Sequence, residues 1–386
     1  VQLNNATKLL AAYTLGVEPS GRESLVVVVK GTYTLPSGGG PPHLADEQLP
    51  LVMADTFTGE PGFSAPVLEA DFAPRKPKCD VLLCGTAFAP GGRPVERVTV
   101  GIRIGQWRKA LAVVGDRRWT TTLSGLGISA TSAGPFVQQP VSYDVAFGGV
   151  DTTHTDPARH LAYPSNPVGR GWHPGPDAKS IDGLPLPNTE ELDQSTLTPN
   201  GNYAPMAFGP VGRGWASRLP LAGTYDQDWI DNVFPFLPSD FREAYYQAAP
   251  PDQQIPYPVG PQDVTLLNLT PSGRLDFRLP DSEIPVVFFH RDGGHREFVA
   301  PLDTITFLPD QNVLTMVWRA SVPLRRTVLE VADIVVGKMT PAWWRARELG
   351  KDYYESIEAL AHRRAEEAAE AQPDEETEQP AGEQVS

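Results

Sequence analysis

Across residues 97–114 apolar and polar positions alternate. Val98, Val100, Ile102 and Ile104 fall on one face of an extended segment, and Thr99 and Arg103 on the other. Gly105-Gln106 supplies a tight connection, and residues 109–114 run back. A period of two with turn residues at each break predicts half-buried antiparallel strands. Residues 76–90 and 143–151 have the same texture, and Gly115-Asp116 marks a further turn before Arg118-Trp119. The main sheet is therefore expected within residues 76–151.

Strand patterns also occur on either side. Residues 25–29 are a short apolar run, followed by Thr32-Tyr33-Thr34-Leu35, and the β-branched and aromatic enrichment predicts a strand. Residues 37–42 read as a Gly/Pro surface loop, and 51–57 as a further strand. The opening, 2–20, is weakly patterned. Beyond residue 263 three hairpins are expected: 264–269 with 275–279, 286–290 with 297–299, and 304–308 with 313–318. Residues 328–336 add a last strand. His290 and His295 flank the second hairpin turn and are expected to face solvent.

Between about 151 and 261 the period disappears, and Pro, Gly, Asn and aromatics dominate. Only 239–249 reads as helical, capped by Ser239 or Asp240, with Phe241, Ala244 and Tyr245 on one side. A structureless loop of this length does not suit a compact domain. An ordered, irregular layer is expected instead, pinned by Trp172, Trp215, Trp229, Phe234 and Phe236. After Thr340-Pro341 the pattern turns helical: Ala346, Gly350, Tyr353, Ile357 and Leu360 form one stripe that Trp343 and Trp344 begin. The expected fold is mainly β. An antiparallel, sandwich-like core spans 1–340 and carries the irregular insert; an amphipathic helix spans 341–364, and a disordered acidic tail 365–386.

Composition sharpens this picture. Forty prolines in 386 residues, about twice the usual share, argue for short strands and long connections and against a doubly wound α/β fold. The two cysteines, Cys79 and Cys84, sit five apart on a predicted strand, so they point to opposite faces and cannot bridge each other there; a reducing compartment is expected. No apolar run reaches the roughly 18 residues needed to span a membrane, and no charged leader opens the sequence. Net charge is −15, with eight acidic and no basic residues in 365–386. An acidic chain is poorly matched to phosphate backbones, which argues against nucleic acid as a partner.

One six-residue sequence occurs twice. Pro167-Val168-Gly169-Arg170-Gly171-Trp172 recurs as Pro210-Val211-Gly212-Arg213-Gly214-Trp215. Either these are loops whose Trp side chains plug the sheet, or they are equivalent turns that present Arg170, Trp172, Arg213 and Trp215 to a partner. Trp343 and Trp344 are further partner-binding candidates, because a helix laid in a groove is a common recognition mode.

Signals for chemistry are sparse. No zinc-protease helix, phosphate-binding lysine loop, EF-hand loop or Gly-x-Ser-x-Gly elbow is present. Residues 125–130 echo a dinucleotide fingerprint, but the residues that follow, 131–135, cannot make the helix that motif needs. His154, His160 and His173, with Asp151 and Asp156, could gather round a metal, or could be ordinary loop residues; their spacing fits no structural zinc pattern. Asp116 could be a catalytic acid, or could fix a turn by bonding nearby backbone N–H groups. Arg117 and Arg118, on adjacent faces, could pair with acids or with a ligand, and structural pairing is expected of them.

Taken in order, several short motifs resemble a known family. They are Lys76-Pro77, Asp80-Val81-Leu82-Leu83 and Gly85; Gly115-Asp116-Arg117 and Trp119; Tyr143, Ala146-Phe147-Gly148-Gly149 and Asp151; residues 166–171; Leu186-Pro187-Asn188; and Ala249-Pro250 with Asp252-Gln253. The set, running from about residue 20 to 335, resembles the domain of unknown function 2169 family, found with type VI secretion systems. That resemblance implies a cytoplasmic adaptor or chaperone. It would bind a secreted toxin effector, through a PAAR-like domain or its flanks, and help load it on the VgrG spike. It carries over no catalytic, cofactor-binding or metal-binding residue, and its Gly, Pro, Asn and Asp positions look like turn-formers. Two other functions stay open on the sequence: a carbohydrate-active β-fold enzyme, and a structural component of the secretion apparatus.

Overall fold

A computed structural model describes the protein except for residues 39, 123–126, 176–177, 282, 352, 355 and 371–386, and the side chains of 178–179 and 366–370. The chain divides into two units, Val1–Gly337 and Lys338–Ser386.

Three sheets organise the first unit, and each joins strands far apart in the sequence. The largest runs in the order Gln254–Ile255, Cys79–Leu83, Leu302–Leu308, Val313–Pro323, Glu23–Thr34 and Leu10–Val17, with His43–Leu44 alongside Glu23–Thr34. Its pairs are antiparallel except Cys79–Leu83 with Leu302–Leu308, where Val81 faces Ile305 in parallel register. A second sheet runs Thr189–Glu190, Trp107–Val114, Arg97–Ile104, Asp263–Leu267 and Arg274–Arg278. The third runs Gln2–Asn5, Val331–Val336, Ile284–His290 and His295–Ala300.

The alternation in 97–104 is realised in the folded chain. Val98, Val100, Ile102 and Ile104 are buried, while Thr99 and Arg103 are exposed. This hairpin belongs to the second sheet. The largest sheet is centred instead on the Glu23–Thr34 and Val313–Pro323 strands, so the expectation that the main sheet lies within 76–151 is corrected. Leu25, Val27 and Val29 share one apolar core with residues of all three sheets, among them Phe307, Phe277, Phe288 and Ile334. Phe277 and Phe307 meet edge to face between the second sheet and the first, with centroids 6.3 Å apart. This is a mainly β, sandwich-like architecture in which sheets cover each other's apolar faces.

The opposite face of the largest sheet is unusual. Register places Lys30, Thr32, Asp80, Thr304, Thr315 and Arg319 on it beside Val26, Val28 and Val317. These polar groups are buried, so each needs a partner. Lys30 Nζ reaches Asp71 at 2.9 Å, Lys76 Nζ reaches Asp80 at 2.8 Å, and Arg319 Nη1 reaches Asp303 at 2.5 Å. Asp80 also accepts hydrogen bonds from Gln247 Nε2 and the Ala248 N–H. Loop segments from residues 71 and 247 are thereby tied onto the sheet. Burial raises the Asp303 pKa, opposed by the charges of Arg319 and Lys76.

Several local expectations are corrected. Residues 2–20 hold two strands, and of 51–57 only Thr56–Phe57 is a strand. Residues 239–249 hold a single 3-10 turn, Glu243–Tyr246. The Asp240 carboxylate is taken by the Thr224 N–H and hydroxyl, so it caps nothing. Pro250 and Pro251 then close off further helix. A helix not expected, Gln227–Asn232, is capped by Asp226, which accepts from the Trp229 N–H at 3.0 Å.

In the second unit the single helix expected over 341–364 is two, Pro341–Glu348 and Ile357–Glu370. Gly350, at φ 62°, stops the first in a left-handed cap, with the Lys351 N–H bonding Ala346 O at 2.8 Å. Helix continues to Glu370, and the remainder of the acidic tail, 371–386, lies outside the described residues.

Candidate functional site

The short motifs scattered through residues 115–188 converge on one knot. Phe147-Gly148 pairs in parallel with Arg170-Gly171. The two chains approach so closely that a Cβ on Gly148 would sit 2.1 Å from Asn166 O, at φ 149°, where side chains are rarely accommodated. Asn166, fully buried, donates from Nδ2 to Tyr143 O and Phe147 O. Trp119 Nε1 donates to Gly171 O at 3.0 Å. Asn188 Nδ2 donates to Val114 O and Asp116 Oδ1. Asp116 thus receives a side-chain amide, in place of the backbone N–H expected for it. Arg117 Nη2 bonds Glu190 at 2.6 Å and Pro187 O at 2.9 Å, and Arg118 Nη1 bonds Gly183 O.

The two copies of the repeated hexapeptide have different fates. In the second, Arg213 is doubly engaged: Nε and Nη2 bond Asp55 at 2.8 and 3.1 Å, and Nη2 lies 2.9 Å from Glu69. Burial opposes its charge, but Asp55 and Glu69 outweigh that and raise its pKa. Glu69 also binds the buried Arg218. Trp215 is buried and meets Tyr143 edge to face at 5.1 Å, and its indole covers Gly212.

In the first copy, Arg170 has no ion pair among the described residues, and its Nε is shut off from water without a hydrogen-bond partner. Burial pulls its pKa down, against the more distant charges of Asp116 and Asp144. Trp172 is half-buried, 5.6 Å from the Tyr163 ring. Each copy lines a cavity. That of Arg213 and Trp215 measures about 380 Å³ and also takes in Pro167 and Val168; that of Arg170 and Trp172 measures about 170 Å³ and is walled by Trp119, Val150, His173, Ile181 and Leu184.

The remaining candidates fall elsewhere. Trp343 and Trp344, in the second unit, meet each other edge to face at 5.1 Å, and Arg347 lies over the Trp343 ring. His154 Nδ1 accepts from the Asp156 N–H, and His160 Nε2 lies 2.8 Å from His154 O. No group of three His, Cys, Asp or Glu side chains placed to hold a metal occurs among the described residues. His173 is buried; its Nε2 is 3.3 Å from Asp151 without the orientation of a hydrogen bond. His295 is exposed as expected, but His290 is half-buried with an unpartnered Nε2. A third of the dinucleotide-like stretch, 125–126, lies outside the described residues. Cys79 and Cys84 are both free.

One surface escaped the sequence reading. Phe234 and Phe236, expected to pin the irregular layer, are 66% and 51% exposed. With Tyr225 and Ile230, also more than half exposed, they gather around the Gln227–Asn232 helix. Trp229 braces them: its ring meets Tyr225 at 4.8 Å and Phe234 at 5.5 Å, and its Nε1 donates to Phe236 O. The available signal was the Asp226 cap followed by outward-facing aromatics.

The chain is a mainly β protein with a glycine-asparagine knot and a braced aromatic surface. The family described as "Uncharacterized protein conserved in bacteria (DUF2169)" matches residues 20–319, and the chain belongs to it. No curated protein and no solved structure matches. No helix among the described residues is long and apolar enough to cross a membrane, a statement that does not bear on membrane-crossing strands.

Proposed function

We propose that this protein is an adaptor that binds a secreted effector polypeptide, of the type VI secretion class, and delivers it toward the VgrG spike. The observation that carries this reading is the aromatic surface at residues 225–236. Tyr225, Ile230, Phe234 and Phe236 present apolar area to solvent on a segment held by Trp229 and the Asp226 cap. Contiguous exposed apolar surface of this kind marks protein–protein contact sites, and aromatic anchors supply most of the energy in them. Rigid presentation lowers the ordering cost of binding. The reading places no bond-making step on the chain, and it assigns the partner as the effector's PAAR-like region or its flanks, in the cytoplasm.

Co-purification tests it. Tagged wild-type chain is expected to retain the effector encoded beside it, and Phe234→Ser together with Phe236→Ser to release it while keeping the wild-type melting temperature. Retention of no neighbouring effector by the wild-type chain, with effector levels unchanged in its absence, contradicts it.

A further inference from the structure

Two residues that carry unbonded buried polar atoms line the smaller cavity. Arg170 Nε and His173 Nδ1 are buried without a hydrogen bond, and His173 Nε2 faces Asp151 at 3.3 Å without the orientation of one. Both residues line the same space of about 170 Å³. His173 is 6% exposed. Buried polar groups left unbonded are rare because each costs on the order of 1–3 kcal/mol. In a native fold such groups are met by an ordered water or by a ligand, and the lining of this cavity points to the second.

The chemistry of that partner follows from the lining. Arg170 offers a planar fork of donors, which matches a carboxylate or phosphate in two-point fashion. The space holds a group the size of one short side chain. Its walls are largely apolar: Trp119, Val150, Trp172, Ile181 and Leu184. An anion there must carry an apolar stem. Asp151, 3.3 Å from His173 Nε2, stands on one side and disfavours a multiply charged guest. The contrast with Arg213 is informative, because the same hexapeptide saturates that guanidinium with Asp55 and Glu69.

We infer that the cavity beside Arg170, Trp172 and His173 is a receptor for a single carboxylate on an apolar stem, and that a partner polypeptide supplies it. The source of the carboxylate rests on the adaptor reading; the pocket itself does not. A peptide's C-terminal residue and a free small carboxylic acid share this chemistry, so the test separates them.

Trp119 and Trp172 line the space, so tryptophan fluorescence of the full chain reports occupancy. N-acetyl-leucine is titrated against N-acetyl-leucine amide and inorganic phosphate, on wild-type protein and Arg170→Gln. The expected result is saturable binding of N-acetyl-leucine, no response to the amide, weaker response to phosphate, and a loss of about ten-fold or more in Arg170→Gln, the scale of a charge-assisted hydrogen bond. Carboxylate and amide behaving alike, phosphate binding better, or unchanged affinity in Arg170→Gln overturns the pocket. The His173 ring resonances of wild-type protein give a readout free of any variant: they shift with N-acetyl-leucine if the proposal holds, and stay fixed if it fails. A second arm addresses the source. Tighter binding of an effector-derived peptide ending in a free carboxylate than of N-acetyl-leucine is expected; equal or weaker binding overturns the polypeptide source and leaves a small-molecule site. Loss of the pocket with effector capture intact, or the reverse, tells the two proposals apart.

Discussion

Arg170 and Arg213 stand at the same position of one repeated hexapeptide, yet only Arg213 holds an ion pair among the described residues, with Asp55 at 2.8 Å. The difference comes from the surroundings. The second copy folds as a turn over Gly212 beside two carboxylates, whereas the first runs as a short strand against Phe147-Gly148.

Stability should follow the pairing. Arg218 is 2% exposed and holds Glu69 with two hydrogen bonds. Arg218→Met leaves Glu69 with Arg213 alone, unpairs the Val211 and Tyr245 carbonyls, and is expected to cost about 3 kcal/mol in denaturant unfolding. Arg170→Gln removes no ion pair and should stay within about 1 kcal/mol of wild type. Similar losses for the two variants would contradict the assignment.

The knot predicts a backbone-specific defect. Gly148→Ala drives a Cβ into Asn166 O and should cost more than about 3 kcal/mol or abolish folding. Gly62 also has a positive φ, 86°, but nothing lies within 4 Å of its Cβ position. Gly62→Ala should therefore cost only about 1 kcal/mol. Thermal melts of the two variants check the ranking.

Thiol chemistry offers another test. Burial, with the charge of Asp310, pushes the Cys84 thiol up to about 12, and its Sγ lies 3.0 Å from Val67 O. Cys79 is raised well above its ordinary value, by burial first and then by Asp303 and Asp80. At pH 8 native-state alkylation by iodoacetamide should run roughly a thousand-fold slower than for a free thiol. Mass spectrometry follows the rate, and labelling within ten-fold of the free thiol would refute the burial of these groups.

Lys109 gives a pH dependence. Burial lowers its pKa, opposed by Asp252 at 2.8 Å. In the interval between the depressed folded value and the ordinary unfolded one, the unfolded chain binds more protons, so stability attributable to Lys109 rises with pH. Below that interval the full penalty applies. Relative to Lys109→Met, wild type should gain stability as pH is raised from 8 toward 10. A constant or declining difference would contradict the sign.

Much of the fold could be read in the chain because alternation survives wherever one sheet face is buried. The Arg97–Ile104 and Arg274–Arg278 strands show this. The Leu10–Val17 strand could not be read, because Tyr13, Leu15 and Val17 are apolar yet exposed on an edge, so no polar face marks its period. The 239–249 segment misled because Asp240 bonds Thr224, sixteen residues away. The site was half legible. The repeat announced Arg170 and Arg213 together, but what separates them is a carboxylate 158 positions earlier in sequence. Phe234 and Phe236 looked like core residues, since composition alone does not tell a buried aromatic from one held at the surface.

Light scattering coupled to size exclusion, on purified chain mixed with the purified neighbouring effector, tests the partner-holding role most directly. A defined complex that persists at about 1 µM, and that Phe234→Ser/Phe236→Ser dissolves, is the predicted result. Separate elution of the two wild-type proteins at about 100 µM would contradict it.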